Sequence, residues 1–446
     1  MLLQPESDTK LQPESHNTLI PNFQIMNSYP NSRTRNSSLH SLFLTGATGV
    51  LGGRVLYELL RSTHATIHCL VRAGNDELAK ERLIDTLRIY DVANEFSAAE
   101  INERVKAVIG DVSLPRLGLD SRTYHKVLTG LDCVVHIAAN VNLLDTRSSL
   151  ERINTGGTAQ IIELCLEANL PLVYTSTYGV AGMLAFQPGL VFRESDLDVG
   201  QDFATLHYAR SKFEAEKLIH AAGNKGLRWV ITRPGNIFGD SVTGAYPLTS
   251  LTVTGIYYDI IKTVTTTGLA MFQPDRLDIT PVDYIAEAIV ALIFEPEAFG
   301  KTFHLVNPDV KAFYEIVNLL IEYGYRIRFL PLGEYVDLFR KRRVLHQGKA
   351  YSSFFTAMAR HFEKYFADHR FHFGATFDIA NVQNILEPKG VRCPKINLDL
   401  LSSYLEYCIA AGYLPSPAKQ GNLAEILPAN QGNLPANQGN LVEVLS

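Results

Sequence analysis

Eight residues constrain this chain more than any others. Thr45 to Gly52 read TGATGVLG, directly after the apolar run Leu42-Phe43-Leu44. Behind them Leu51, Val55, Leu56, Leu59 and Leu60 recur at helical spacing. The pattern is strand, glycine turn, helix. Gly46, Gly49 and Gly52 let the turn tighten, let a diphosphate approach bare backbone, and let the helix pack close to the strand. The first N–H groups of the helix, around Thr48, Val50 and Leu51, then face the phosphate with the positive end of the helix dipole. The spacing is GxxGxxG rather than the commoner GxGxxG, and it implies a dinucleotide.

The rest of the chain fits a sheet built around that turn. Thr66–Arg72, Val105–Val112, Cys133–Ala139, Leu172–Thr177 and Arg228–Arg233 are apolar, strand-like runs. Helical patterns over Asp76–Tyr90, Thr158–Ala168 and Tyr208–Ala222 separate them. Alternation of this kind, with nearly all-apolar strands, predicts an α/β fold: a doubly wound parallel sheet of Rossmann type, covered on both faces. Beyond about 240 the alternation decays into a smaller, mainly helical region. The expected division is a tail over 1–40, a cofactor-binding domain over 41–240, a substrate or carrier-binding region over 241–415 in which part of the sheet is completed, and a tail over 416–446. Both tails are polar and repetitive (LQPES twice, LPANQGN in tandem). With no apolar face to bury they are expected to be disordered.

Composition excludes several functions. With 446 residues, 46% hydrophobic and 20% charged, the chain is that of a globular protein. A net charge of −5 argues against nucleic acid. The one basic run, Arg340–Arg343 (RKRR), is either a solvated helix end or a dock for an acidic partner. The five cysteines, at 69, 133, 165, 393 and 408, lack metal-ligand spacing, so neither a metal nor a disulfide framework is expected. No apolar stretch reaches the roughly 18 residues of a membrane span. The polar N-terminus has no signal-like segment, so the expected location is cytoplasmic.

The chemistry is carried by HYARSKFEAEKL. Tyr208 and Lys212, four residues apart, share a helix face. A phenol titrates near 10, and a neighbouring ammonium is expected to lower it. The pair is then a general acid for a carbonyl oxygen. Ser176 and Thr177 end a strand upstream, at the carboxyl edge of the sheet where ligands bind. Arg72 ends the second strand, where NAD enzymes carry an acid for the ribose hydroxyls; an arginine pairs instead with a 2′-phosphate. Arg82 is the candidate second cation. The cofactor expected is therefore NADPH. His136, in an apolar strand, reads as a core histidine. His207 precedes Tyr208 but, one position away on the helix, is expected to point elsewhere; Trp229 and Tyr257-Tyr258 read as packing, with the tyrosines in the expected substrate region.

These residues resemble the extended short-chain dehydrogenases/reductases. The ordered series TGATGVLG, CLVRA, VIGDVSLPRLGLD, VVHIAANVNLL, NTGGT, YTSTYGVAG, YARSK, RPGNIFGDSVTG, DITPVDYIAEAI and FHLVNP is similar to the thioester reductase branch, from about Leu42 to Pro415. That branch includes the reductase domains of nonribosomal peptide and polyketide synthases and of carboxylic acid reductases. The resemblance implies NADPH-dependent reduction of an acyl thioester to an aldehyde, or onward to an alcohol. The thioester would be held on an acyl or peptidyl carrier protein met in trans. It assigns Thr177 to the catalytic hydroxyl, with Ser176 as runner-up, Tyr208 to the proton donor, and Lys212 to the nicotinamide ribose. It places Asp111 and Val112 beside the adenine. Ala138, Ala139, Asn140 and Asn154 line the cofactor, and Pro234, Gly235, Asn236 and Ile237 lie at its nicotinamide end. One departure stands out: after VNLL the branch often carries an aromatic, and here the chain reads Asp145-Thr146-Arg147. The rival readings are a fatty acyl-CoA reductase, a nucleotide-sugar epimerase or dehydratase, and a non-catalytic NADP-binding scaffold.

Overall fold

The computed structural model describes residues 35–143, 145–204, 206–248, 255–271, 276–331, 334–335 and 374–420. Seven parallel strands form the central sheet: β1 (Ser41–Thr45), β2 (Thr66–Val71), β3 (Val105–Ile109), β4 (Cys133–His136), β5 (Leu172–Thr175), β6 (Trp229–Pro234) and β7 (Lys301–Leu305). Their spatial order is β7-β6-β5-β4-β1-β2-β3. The order reverses at β1, which pairs with both β2 and β4. That reversal opens a crevice beyond the strands' carboxyl ends.

Alternation along β1 sorts its side chains into two cores. Leu42 and Leu44 enter one, shared with α1 (Val50–Ser62), α2 (Asp76–Tyr90) and α5 (Val282–Ile293). Phe43 enters the other, with residues of α3 (Gly157–Glu167) and α4 (His207–Gly223). The sheet is thus doubly wound, as the sequence implies. Among the described residues no helix is long and apolar enough to cross a membrane.

The structure differs from the sequence reading at several boundaries. β3, β4 and β5 stop at Ile109, His136 and Thr175, two or three residues short, because the chain leaves the ladder at the carboxyl edge to build loops. The region beyond 240 shares the core with the residues before it, and it completes the sheet as expected. α5 packs on α1, and β7 extends the sheet next to β6. Fully buried Arg54 of α1 bonds Asp240 (3.0 Å), which anchors the chain where it leaves the first domain.

The tails are shorter than expected within the described residues. Arg35 bonds Glu100 at 2.8 Å and Leu39 is buried. At the other end, buried Gln420 exchanges hydrogen bonds with the Arg326 backbone. Residues 1–34, the tandem LPANQGN repeats and Arg340–Arg343 lie outside the described residues. A strap over 374–381 forms a separate two-stranded parallel pair, Thr376–Phe377 with Val191–Phe192. Glu194 clips the strap in place by accepting N–H groups from Asn381 (2.6 Å) and from His304 of β7 (2.9 Å).

Candidate active site

The glycine turn is built for close approach. Gly46 has φ +80, and a Cβ there would lie 2.7 Å from the Ala138 nitrogen. A Cβ on Gly52 would lie 2.0 Å from the Gly46 oxygen. Both contacts are below van der Waals distance, so only glycine lets loop, helix and β4 meet. Gly49 caps α1 without any side-chain acceptor, which leaves the helix N-terminus to an anion. Thr48, Gly49 and Val50 are half-buried, whereas Leu51 is core and offers a ligand only its backbone. A diphosphate fits this cradle: a bulkier residue would fill it.

Thr45, which the sequence reading passed over, stitches β1 to β4. Its Oγ1 accepts N–H groups from Ile137 (3.2 Å) and Ala138 (3.1 Å). It meets His136 Nδ1 at 2.7 Å. The hydroxyl, already an acceptor twice, donates to Nδ1, so Nε2–H donates to Thr158 Oγ1 at 3.2 Å. Burial, with Lys212 near, pushes His136 down to about 3. It is a neutral core histidine.

At the end of β2, Arg72 is exposed. Arg82, reaching back from α2, donates from Nη1 to the Arg72 carbonyl and from Nη2 to Thr48 Oγ1 (3.5 Å). The Arg82 guanidinium therefore stands beside the glycine turn, tied to the backbone of exposed Arg72. Past β3, Asp111 folds into a turn, accepting the Ser113 N–H at 2.8 Å. Val112 is buried against Gly157 of α3.

Asn154 is held more firmly than a ligand contact would be. It is buried in a π-helical turn, Glu151–Gly156, an insertion typical of functional sites. Its Oδ1 accepts the Asn140 N–H (2.7 Å), and its Nδ2 donates to the Asn140 carbonyl (3.0 Å) and to Ser211 Oγ (2.9 Å). Ser211 in turn donates to the Tyr208 carbonyl at 2.7 Å. Asn154 thus ties the end of β4, where Ala138, Ala139 and Asn140 are half-buried, to the first turn of α4. The Asp145 that departs from the aromatic pattern closes this loop by accepting from Asn140 Nδ2 and Ser149 Oγ.

Tyr208 and Lys212 share one face of α4, and Lys212 is buried. Lys212 Nζ donates to the Thr175 carbonyl (2.6 Å) and lies 4.4 Å from the centre of the Tyr174 ring. Burial pulls Lys212 down to about 7, opposed by Glu216. Burial raises Tyr208 to about 12. The lowering of the phenol expected from sequence is therefore absent: burial wins, and the lysine is turned to the strand carbonyl. The two candidate hydroxyls differ. Ser176 Oγ is buried with no hydrogen-bond partner. Thr177 is half-buried and its Oγ1 accepts the Gly179 N–H (3.2 Å), capping the 3-10 helix Tyr178–Phe186 that packs on α4.

Pro234 ends β6. The Asn236 N–H donates to buried Asp278 (2.9 Å), whose carboxyl burial raises to about 6. Tyr178, next to Thr177, donates to Asn236 Oδ1 (3.2 Å) and meets Phe377 of the strap edge-on at 5.1 Å. Ile237 is half-buried beside them. Sequence reasoning missed Thr175, Tyr178, Ser211 and Asp278. Their partners lie far away in sequence, and no local spacing announces them. Tyr257 stacks on Phe238, and the Tyr258 hydroxyl accepts the Gly239 N–H (2.8 Å), so both tyrosines make packing contacts.

Comparison with known proteins agrees with this geometry. Residues 44–289 match the NAD-binding family model described as male sterility protein. The isonitrile lipopeptide synthase of Streptomyces coeruleorubidus is 29% identical over 86% of this chain, which spans only 25% of that relative's length. The crystal structure of the terminal R domain from the myxalamid PKS-NRPS pathway is 31% identical, with a TM-score of 0.73, covering 85% of this chain and 92% of that one. The reductase (R) domain of a nonribosomal peptide synthetase from Mycobacterium tuberculosis is 25% identical, with a TM-score of 0.66, covering 86% and 95%. With the glycine cradle and the Tyr208–Lys212 helix at one sheet edge, these likenesses make the chain a member of the male sterility protein family, an oxidoreductase with the nicotinamide-cofactor fold of nonribosomal peptide synthetase reductase domains.

Proposed function

We propose that this protein uses NADPH to reduce an acyl thioester, presented on a carrier protein's phosphopantetheine arm, to an aldehyde. The observation that carries the reading is the juxtaposition of Thr177, Tyr208 and Lys212 with the glycine turn at the carboxyl edge of the sheet. The bound nicotinamide supplies the hydride. Tyr208 holds the proton for the carbonyl oxygen, and Thr177 adds a second hydrogen bond as charge develops there. Lys212 holds the nicotinamide ribose; once its Nζ turns from Thr175 to the ribose, its charge stabilises the Tyr208 phenolate. The tetrahedral carbon then expels the thiol, leaving aldehyde and free thiol. Arg72 and Arg82 pair with the 2′-phosphate, which favours NADPH and speaks against the tightly held NAD of the epimerases. A carrier adds contacts remote from the reacting carbon, and that binding energy orients the thioester.

The test is reduction of one acyl group presented on a carrier protein and on CoA, with NADPH, followed by mass analysis of the product. Faster turnover of the carrier-bound group, with aldehyde and free thiol released, is expected. Preference for acyl-CoA would replace this reading with a fatty acyl-CoA reductase.

A further inference from the structure

The face of α4 that carries Tyr208 and Lys212 continues, four residues on, to Glu216. Glu216 is fully buried and Lys212 nearly so. A carboxylate without solvent needs strong partners. Glu216 has Arg233 of β6: Nε donates to both carboxylate oxygens (3.0 and 3.2 Å) and Nη2 to Oε2 (2.7 Å). The rest of the Arg233 fork is also satisfied. Nη2 reaches the Asp196 carbonyl (2.8 Å), and Nη1 reaches His304 Nε2 (3.2 Å). His304 Nδ1–H donates to the Asp378 carbonyl (2.7 Å), so Nε2 accepts and the ring is neutral.

We infer that Glu216, locked in place by Arg233, is a positioning residue that keeps Lys212 protonated for the cofactor ribose. This rests on the proposed role of Lys212. Among the described residues, the other groups facing Lys212 do not supply a negative charge. His136 of β4 is neutral, β5 offers the Thr175 carbonyl and the Tyr174 ring, and Tyr208 on α4 is a protonated phenol. On the far side, burial holds His220 of α4 and His304 of β7 below the ordinary range, and Arg233 adds positive charge. Glu194, whose carboxyl is pushed up to about 7, faces Arg233 from the strap side. Glu216 is the carboxylate that opposes the burial of the Lys212 ammonium.

The sign of the effect follows. Burial makes Lys212 lose its proton more easily, and Glu216 restrains that loss. Removing the carboxylate must therefore move the titration to lower pH. The test is the dissociation constant of NADPH, measured by fluorescence on the full chain from about pH 5 to 9. Wild type is expected to bind more weakly as pH rises through the Lys212 titration. Glu216→Gln should move that midpoint down by about one pH unit, and Glu216→Asp, which keeps the charge, should restore it. A residue that only supports the fold would weaken binding by one factor at every pH and leave the midpoint in place, which would overturn the inference. Should the Gln variant not fold, Lys212→Arg decides: a guanidinium stays charged, so the pH dependence should vanish, and its persistence would assign the titration to another group. Failure of wild type to bind NADPH at any pH would instead remove the cofactor reading itself.

Discussion

Asn154→Ala tests whether the π-helical turn serves the site. The substitution removes three hydrogen bonds of 2.7, 3.0 and 2.9 Å made by a buried side chain. It leaves the N–H and carbonyl of Asn140 without those partners. Ser211 keeps its bond to the Tyr208 carbonyl. Each lost bond costs about 1 kcal/mol, and a buried group left unpaired about 1–3 kcal/mol. Asn140 is half-buried, so water offsets part of that, and a total of about 2–4 kcal/mol follows. For a chain of this size that lowers the melting temperature by roughly 2–4 °C. The end of β4 and the first turn of α4 also lose their link, and small misplacements near reacting atoms cost up to about 10² in rate. Turnover should fall by about tenfold to a hundredfold, read beside NADPH affinity and a thermal melt. Asn154→Asp, nearly isosteric, keeps the acceptor for the Asn140 N–H but replaces both donors with a carboxylate oxygen. It should be at least as damaging. A variant that melts earlier yet binds and turns over like wild type would refute the argument that Asn154 positions the site.

Two further outcomes bear on the assigned roles. Arg72→Ala should weaken NADPH about tenfold, the loss of one partly screened charge-assisted pair of roughly 1.5 kcal/mol, and leave NADH nearly unchanged; equal effects on both cofactors in a binding titration would remove the 2′-phosphate assignment. Tyr208→Phe should cut turnover by about 10² or more while NADPH still binds, and a Phe variant of wild-type rate would mean that another group holds the proton.

The sheet was legible because β1, β2, β4, β5 and β6 are mostly apolar, a pattern typical of strands covered on both faces. Their ends were not, since Ile137 to Ala139 are as apolar as the strand they follow yet belong to a loop. The place of α5 was not legible either: a helix buried nearly all round shows no face by which to tell that α1 is its neighbour. At the site, Tyr208 and Lys212 were readable because their relation is local, one helical turn. The rise of the Tyr208 phenol was not, because burial is a property of the packed chain. Asn154 was found as a position, but its partners depend on a backbone insertion that carries no composition signal.

The strap has a consequence for how the protein comes into being and how it can be cut. Glu194 and Asn381 are 187 residues apart, yet one hydrogen bond joins them. During synthesis, strands β1 to β6 and the glycine turn emerge long before Phe377 arrives to meet Tyr178. The cofactor side of the crevice is thus laid down first, and the wall beside Thr177 closes only with the last tenth or so of the described chain. A fragment ending near 240 would keep every residue of the glycine turn but uncover the α1 surface that α5 buries and the β6 edge that β7 occupies. Such a piece would offer an open sheet edge to other chains. The part of the molecule that carries the glycine turn is therefore no module to be lifted out.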